Sequence, residues 1–209
     1  MENMKGIRNV LFDLGAVLIN IDFEKVALAF KALGVKDFEK RYSHLQADSL
    51  FEKLETGKIS NEMFYENIAY QSGLPLKASE IRDAWNAILL DFRTESMEYL
   101  QQLSKRYRLF LLSNTNAIHL ESIHKILYNQ MGVEKLDQYF EKAYYSHLVG
   151  MRKPGKAVFD YVLADAGISA EETFFIDDAS PNIETAAAMG FKTHLLLPGE
   201  RIEKLNWNG

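Results

Sequence analysis

The sequence predicts an α/β protein with a parallel sheet and a helical segment inserted after the first strand. Two observations predict it. Short apolar runs alternate with stretches of helical periodicity, and the long interval between the first run and the second is helical throughout. Strands linked through amphipathic helices form a parallel sheet covered on both faces, and such strands read as unbroken apolar runs.

The first run, Asn9 to Phe12, stops at the carboxylate of Asp13, and Leu14-Gly15 follow at once. Ligands of parallel sheets sit beyond the carboxyl ends of the strands, which places Asp13 where chemistry is done. From about Asp22 to about Phe92 every strong periodicity is helical. Phe23, Val26, Ala27, Phe30 and Leu33 share one stripe before Gly34; Leu50, Phe51 and Leu54 mark a second helix closed by Gly57. Phe64, Ile68 and Ala69 mark a third before Gly73 and Pro75, and Ile81, Trp85, Ile88 and Leu89 a fourth. The aromatics Phe64, Tyr65, Tyr70 and Trp85 follow this spacing and read chiefly as core. An insert so placed acts as a lid over the strand ends. The expected organisation is a discontinuous α/β core of residues 1–20 and 93–209 with a helical cap of residues 21–92.

Beyond the insert, Thr94 is the expected cap of a helix through Leu103, and Leu109 to Leu112 form the second strong strand. Lys142 to Tyr145 is a weaker one. Pro154 suits a first helical turn, and Ser169-Ala170-Glu171-Glu172 has capping-box spacing for one turn at most. Thr173 to Ile176 and Thr193 to Leu197 complete the sheet, with a helix from Pro181 to Met189 between them.

Composition narrows the function. The 209 residues are 47% hydrophobic and 25% charged, an ordinary globular balance. A net charge of -5 argues against nucleic acid or an anionic membrane as the main partner, because both require a cationic surface. The absence of cysteine excludes disulfides, iron–sulfur clusters, thiolate zinc sites and cysteine nucleophiles. Met1 to Gly6 lead into a short apolar run with no small-residue cleavage site, so neither a signal peptide nor a membrane span is expected. A cytoplasmic enzyme or binding protein is the expectation.

Three of the strong runs end in residues suited to a metal or a phosphate. The first ends in Asp13, the second in Ser113-Asn114-Thr115 and the third in Asp177-Asp178, with Arg152-Lys153-Pro154 upstream of the third. Magnesium takes a few carboxylates and keeps its other positions for water and substrate phosphate. A hydroxyl, backbone amides and a lysine can hold the remaining phosphate oxygens. Each feature also has a plainer reading. Asp before Gly is common turn chemistry, Ser113-Asn114 can be a turn, Lys153 a solvated surface charge, and Asp177-Asp178 a helix start. Asn182 either orients the acidic loop or caps its helix. Arg152 either reaches substrate or forms a surface ion pair. The histidines, His119 and His124 included, carry no assigned role.

Together these motifs, in this order and spread over almost the whole chain, resemble the haloacid dehalogenase superfamily in the branch with a helical cap after the first strand. The resemblance implies a Rossmann-like core and a magnesium-dependent phosphatase acting on a small phosphorylated metabolite, a sugar phosphate being favoured. It implies that Asp13 is the nucleophile that forms an aspartyl-phosphate, that Ser113 binds the phosphoryl group with Asn114 beside it, and that Lys153 neutralises it. Mg2+ would be held by Asp13, the carbonyl of Gly15, and the Asp177-Asp178 pair, with Asp178 the direct ligand and Asp177 the partner of Lys153 or of a metal water.

One position departs from the pattern. Phosphatases of the superfamily usually carry a second Asp two residues after the nucleophile as general acid and base, and here Gly15 stands there. Such assistance contributes roughly 10²- to 10⁴-fold. Asp22, at the hinge into the cap, is the candidate substitute; a water or the substrate itself is the second possibility, and a phosphate- or metal-binding protein without turnover the third. Bacterial sugar-phosphate phosphatases with the Asp-Leu-Gly variant resemble this chain through Gly150-Met151-Arg152-Lys153-Pro154 and the Asp177-Asp178 pair, which favours turnover. Haloacid dehalogenase chemistry ranks lower, because it needs no magnesium and the family places an aromatic residue where Gly15 stands.

Overall fold

The computed structural model describes residues 4–36, 38 and 49–207. Met1 to Asn3, on which part of the signal-peptide reading rests, and residues 37 and 39–48 of the insert lie outside the described residues. Five strands form a parallel sheet: β1 Asn9–Phe12, β4 Arg108–Ser113, β5 Lys142–Tyr145, β6 Thr173–Asp177 and β7 Lys192–Leu195. Their order is β5-β4-β1-β6-β7, with β1 in the middle. Chain order runs outward from β1 through β4 to β5, then returns to its other side at β6. That reversal is the switch point at which open parallel sheets bind ligands.

The pleat explains the apolar runs. Val10 and Phe12 pack with Leu109, Leu111 and Ile176 on one face, against Met97 and Leu100 of the helix Thr94–Leu103 and Ile123 and Leu127 of Ala117–Met131. Leu11, Phe110, Leu112 and Phe175 point to the other face, onto Val158, Phe159 and Val162 of Lys156–Ala166 and Ala186 of Ser180–Ala188. Each large side chain fully buried in this way contributes about 1.5–3 kcal/mol by transfer out of water. Both faces being covered, the polar residues of the central strands fall at their ends: Asn9 and Thr173, hydrogen-bonded to each other, open β1 and β6, and carboxylates close them.

The helical insert has a core of its own. Helices Phe23–Ala32, Ser49–Glu55, Asn61–Ser72 and Ala78–Asn86 bury Phe30, Phe51, Phe64 and Trp85 together, with Trp85 5.3 Å from Phe51 and 5.5 Å from Phe64 between ring centroids. Of the aromatics expected in this core, Tyr70 is instead exposed, and Tyr65 is half-buried. Among the described residues, no helix is long and apolar enough to cross a membrane.

Local expectations differ from the structure at four places. The fourth insert helix ends at Asn86, and Leu89 opens strand β3 (Leu89–Phe92), paired antiparallel with β2 (Ile19–Ile21). The chain therefore leaves and re-enters the sheet region through a two-stranded ribbon rather than through helix ends. Arg93 ties that ribbon, donating to Asn20 Oδ1 at 2.9 Å and to the Val17 carbonyl at 3.1 Å. Arg93, not Thr94, occupies the capping position of the next helix, and Thr94 Oγ1 accepts from Gln130 instead. Pro154 precedes its helix, which starts at Lys156 after Gly155. The last strand spans Lys192–Leu195, so Leu196 and Leu197 fall beyond it.

Candidate active site

Asp13 follows β1 directly, and its backbone N donates to Ile176 O at 2.9 Å, which carries the parallel pairing one residue past the strand. The chain then turns sharply at Ala16, a non-glycine residue at φ 53°. Hydrogen bonds from Ala16 N to Ile19 O and from the Leu18 and Ile19 amides to Leu14 O close this turn, and none of them engages the Gly15 carbonyl. That carbonyl lies in a residue lining the same cleft as Asp13.

Lys153 is the centre of the polar cluster. Only 1% of the residue is exposed, and its Nζ lies 2.6 Å from Asp13 Oδ1 and 2.7 Å from Asp177 Oδ2. Burial alone would lower the lysine pKa; Asp13 and Asp177 outweigh it and raise it, so the ammonium stays charged. A buried charge of this kind persists only when paired, and removing one partner typically costs about 3–5 kcal/mol.

Asp177 is fully buried and saturated with donors. Its Oδ1 accepts from Ala179 N at 2.8 Å, Asn182 Nδ2 reaches Oδ1 at 2.9 Å and Oδ2 at 3.0 Å, and Lys153 takes Oδ2. Asn182 thus orients the acidic loop from the first turn of its helix. Asp13, Asp177 and Asp178 each offer an oxygen within 4.8 Å of one another. Burial, opposed by Lys153 and reinforced by Asp177 and Asp178, pushes Asp13 up to about 7. Burial and Asp177 push Asp178 up to about 6.

These facts fit a divalent cation. The donor set is oxygen only, three carboxylates share one lysine, and the raised Asp13 and Asp178 mark an excess of negative charge that a hard cation offsets. Asp13, Asp178 and the Gly15 carbonyl could hold it directly. Asp177, with its oxygens committed to Lys153, Asn182 and Ala179, is better placed to hold those groups or a metal water.

Ser113 ends β4 buried and lines the cleft. Asn114 has a different task from a side-chain phosphate contact. Its Nδ2 donates to Lys153 O and its Oδ1 accepts from Lys153 N, both at 2.9 Å, so the amide fixes the lysine backbone across 39 residues of chain.

Asp22, expected as the substitute acid, is found at a helix start. Its carboxylate caps the helix Phe23–Ala32, accepting from Glu24 N at 2.9 Å and Lys25 N at 3.3 Å, and it is absent from the cleft lining. Its Oδ1 is thus engaged by the first turn of the helix rather than by a group of the Asp13 cluster.

The cleft, about 150 Å³, also contains residues that sequence reasoning passed over. His119 stacks on Trp85 with centroids 4.6 Å apart, and its Nε2 lies 3.1 Å from the Trp85 carbonyl. Burial holds it at about 4, well below the ordinary imidazole value. Glu55, at the end of an insert helix, is buried beside Arg152, Oε2 to Nε 3.0 Å. The only sequence signal for Glu55 was a charge set next to the Thr56-Gly57 turn.

A family model described as haloacid dehalogenase-like hydrolase matches residues 10–196. A D-ribitol-5-phosphate phosphatase of Bacteroides thetaiotaomicron is 32% identical over 187 residues, covering 90% of each chain. The crystal structure of a haloacid dehalogenase family enzyme from the same organism, complexed with magnesium and inorganic phosphate, is similar at TM-score 0.89 and 37% identity, covering 94% of this chain and 96% of that one. A predicted hydrolase of that family from Porphyromonas gingivalis is similar at TM-score 0.85 and 38% identity, covering 93% of each chain.

Proposed function

The chain belongs to the haloacid dehalogenase-like hydrolases, and we propose that it is a magnesium-dependent phosphatase of small sugar or polyol phosphates, D-ribitol 5-phosphate being the first substrate to test. The observation that carries this is Lys153 Nζ held between Asp13 and Asp177 in a three-carboxylate cluster that opens on the cleft. We assign residues 1–20 and 93–209 to the catalytic core and residues 21–92 to the cap, and place the chain with the bacterial sugar-phosphate phosphatases of the Asp-Leu-Gly variant.

Asp13 attacks phosphorus, the bond from phosphorus to the ester oxygen breaks, and the alcohol leaves. Water then resolves the aspartyl-phosphate and frees inorganic phosphate. Lys153 holds the Asp13 carboxylate in place and offsets the charge of an arriving phosphate, while Ser113 donates to a phosphoryl oxygen. Magnesium, when bound by Asp13, Asp178 and the Gly15 carbonyl, supplies the charge that lets an anionic nucleophile approach an anionic ester. Asp177 and Asn114 position Lys153, one through its ammonium and the other through its backbone. With glycine at position 15 and Asp22 committed to a helix, the leaving oxygen takes its proton from water or from a hydroxyl of the substrate.

The test is phosphate release with and without magnesium from D-ribitol 5-phosphate, other sugar phosphates, nucleotides and an aryl phosphate, with Asp13→Asn as control. Metal-dependent release abolished by Asp13→Asn is expected. Wild-type protein that binds magnesium and phosphate but releases none would make this a binding protein without turnover.

A further inference from the structure

The cleft lining is of two kinds beyond the carboxylate cluster. One is apolar, built by Ile19, Ile21, Phe23, Ile88, Leu89 and Ile123. The other carries Glu55, from the last position of helix Ser49–Glu55, and Arg152, from the loop that leads into Lys153. Neither is used by the proposed phosphoryl-transfer machinery: Lys153 is paired to Asp13 and Asp177, and its backbone is fixed by Asn114.

The pair is held from both sides. The turn after Glu55 is pressed against the core, because a Cβ at Gly57 would come within 2.2 Å of the His147 carbonyl oxygen, and Gly57 takes φ +67°. No other residue type fits that approach. Arg152 sits one residue before Lys153, and its carbonyl accepts from Gly155 N at 3.1 Å. An insert residue and a core residue therefore meet at the wall of the cleft, Oε2 to Nε 3.0 Å, with Glu55 almost fully buried. Burying the Glu55 carboxylate against a partly exposed guanidinium carries a desolvation cost that an apolar side chain would avoid, which points to a use for the charge itself.

Carboxylate oxygens only accept hydrogen bonds and guanidinium groups only donate them, whereas a hydroxyl does both. Adjacent acceptor and donor thus match two neighbouring hydroxyls on a carbon chain whose C–H groups meet the apolar lining. Building on the phosphatase reading above, we propose that Glu55 and Arg152 recognise a vicinal diol of the substrate, and that Glu55 is the specificity residue through which the insert selects phosphorylated polyols over plain alkyl phosphates. One hydroxyl donates to Glu55, and its neighbour accepts from Arg152.

The test compares D-ribitol 5-phosphate with pentyl phosphate, which has the same chain length and no hydroxyls, on wild type, Glu55→Gln and Glu55→Ala. Wild type should favour the ribitol ester in kcat/KM by about 100-fold or more, and Glu55→Ala should lower that value about 10- to 100-fold, chiefly through KM, while changing pentyl phosphate less than about twofold. Glu55→Gln, which keeps the length and one acceptor, should fall between and serves if the alanine variant does not fold. Equal losses on both esters, as a proton-transfer or purely structural role would produce, overturn the proposal, and so does no loss on either. Calorimetric binding of D-ribitol 5-phosphate with magnesium to Asp13→Asn protein, with and without Glu55→Ala, reads the same contact without turnover. A drop in affinity of about tenfold or more is expected, and unchanged affinity overturns it. A wild type inert toward both esters would defeat the phosphatase reading while leaving calorimetry to decide on Glu55.

Discussion

A Cβ at Gly15 would lie 3.3 Å from Ile21 Cδ1, so a side chain at the position after Asp13-Leu14 would crowd an isoleucine of the two-stranded ribbon. The backbone at Gly15 is not in the left-handed region, and the obstacle to a side chain is contact rather than conformation. Gly15 and Ile21 are therefore neighbours whose side chains must be considered together.

Gly15→Asp alone should change stability by less than about 1 kcal/mol, because the Ile21 tip has only to give way by a few tenths of an ångström at the cleft wall. In an Ile21→Ala background the carboxyl gains room. Turnover of an alkyl phosphate by the double variant should then exceed that of Ile21→Ala alone, by up to about 10²- to 10⁴-fold. Steady-state rates on pentyl phosphate check this, and an absence of any gain would mean that leaving-group protonation does not limit the rate.

For Asp22 the capping geometry separates two substitutions. Asn retains the cap, so Asp22→Asn should leave both melting and turnover near wild type. Asp22→Ala should cost about 0.5–2 kcal/mol of stability and still turn over substrate when folded. A large rate loss in Asp22→Asn with stability intact would restore Asp22 as an acid.

Metal binding and pH are linked through Asp13. Its pKa in the metal-free protein is raised to about 7 by burial, with Lys153 opposing and Asp177 and Asp178 adding. A carboxyl raised above its unfolded value stabilises the fold below about 4 and loses that contribution as pH climbs toward 7. Magnesium requires the ionised form. The rise in melting temperature on adding magnesium should therefore be larger at pH 8 than at pH 6, and the difference should shrink in Asp13→Asn to the part that Asp178, raised to about 6, contributes. A pH-independent shift in wild type would contradict the link.

How legible this was in sequence follows from burial. β1, β4 and β6 were readable because both of their faces are covered, leaving Val10-Leu11-Phe12 and its neighbours unbroken by polar residues. Asp13, Asp177 and Asp178 stood out because they lie at the ends of such runs, and Lys153 because it forms a cation pair fixed by Pro154. β2 and β3 were not: Ile88 and Leu89 continue the helical spacing of Ile81 and Trp85, and only the pairing with Ile19 and Ile21 decides that the chain extends there. Glu55 escaped notice for a related reason. Its burial comes from Arg152 and the Gly57–His147 contact, nearly a hundred residues away, and nothing local distinguishes it from a solvated helix end. The tasks of Asp22 and Asn114 turned on where short side chains point, which spacing does not encode.

His119 supplies a stability prediction independent of catalysis. It lies buried against Trp85, with Asn116 Nδ2 3.2 Å from its Nδ1 and the Trp85 carbonyl 3.1 Å from its Nε2. Burial, partly offset by the bond to Trp85 O, lowers its pKa to about 4 from 6.5, so the folded state holds the neutral ring. Between those two values the unfolded chain binds the extra proton. Stability from this residue is fully present above pH 6.5 and is lost as pH falls toward 4, by about 3 kcal/mol at most. Asp13 and Asp178 titrate in an overlapping range with the opposite sign, so the comparison must be between wild type and His119→Gln rather than between two pH values alone. Urea unfolding at pH 7 and pH 4.5 should show wild type losing more stability on acidification than His119→Gln does. Parallel losses in the two proteins would show that His119 is not held neutral in the fold.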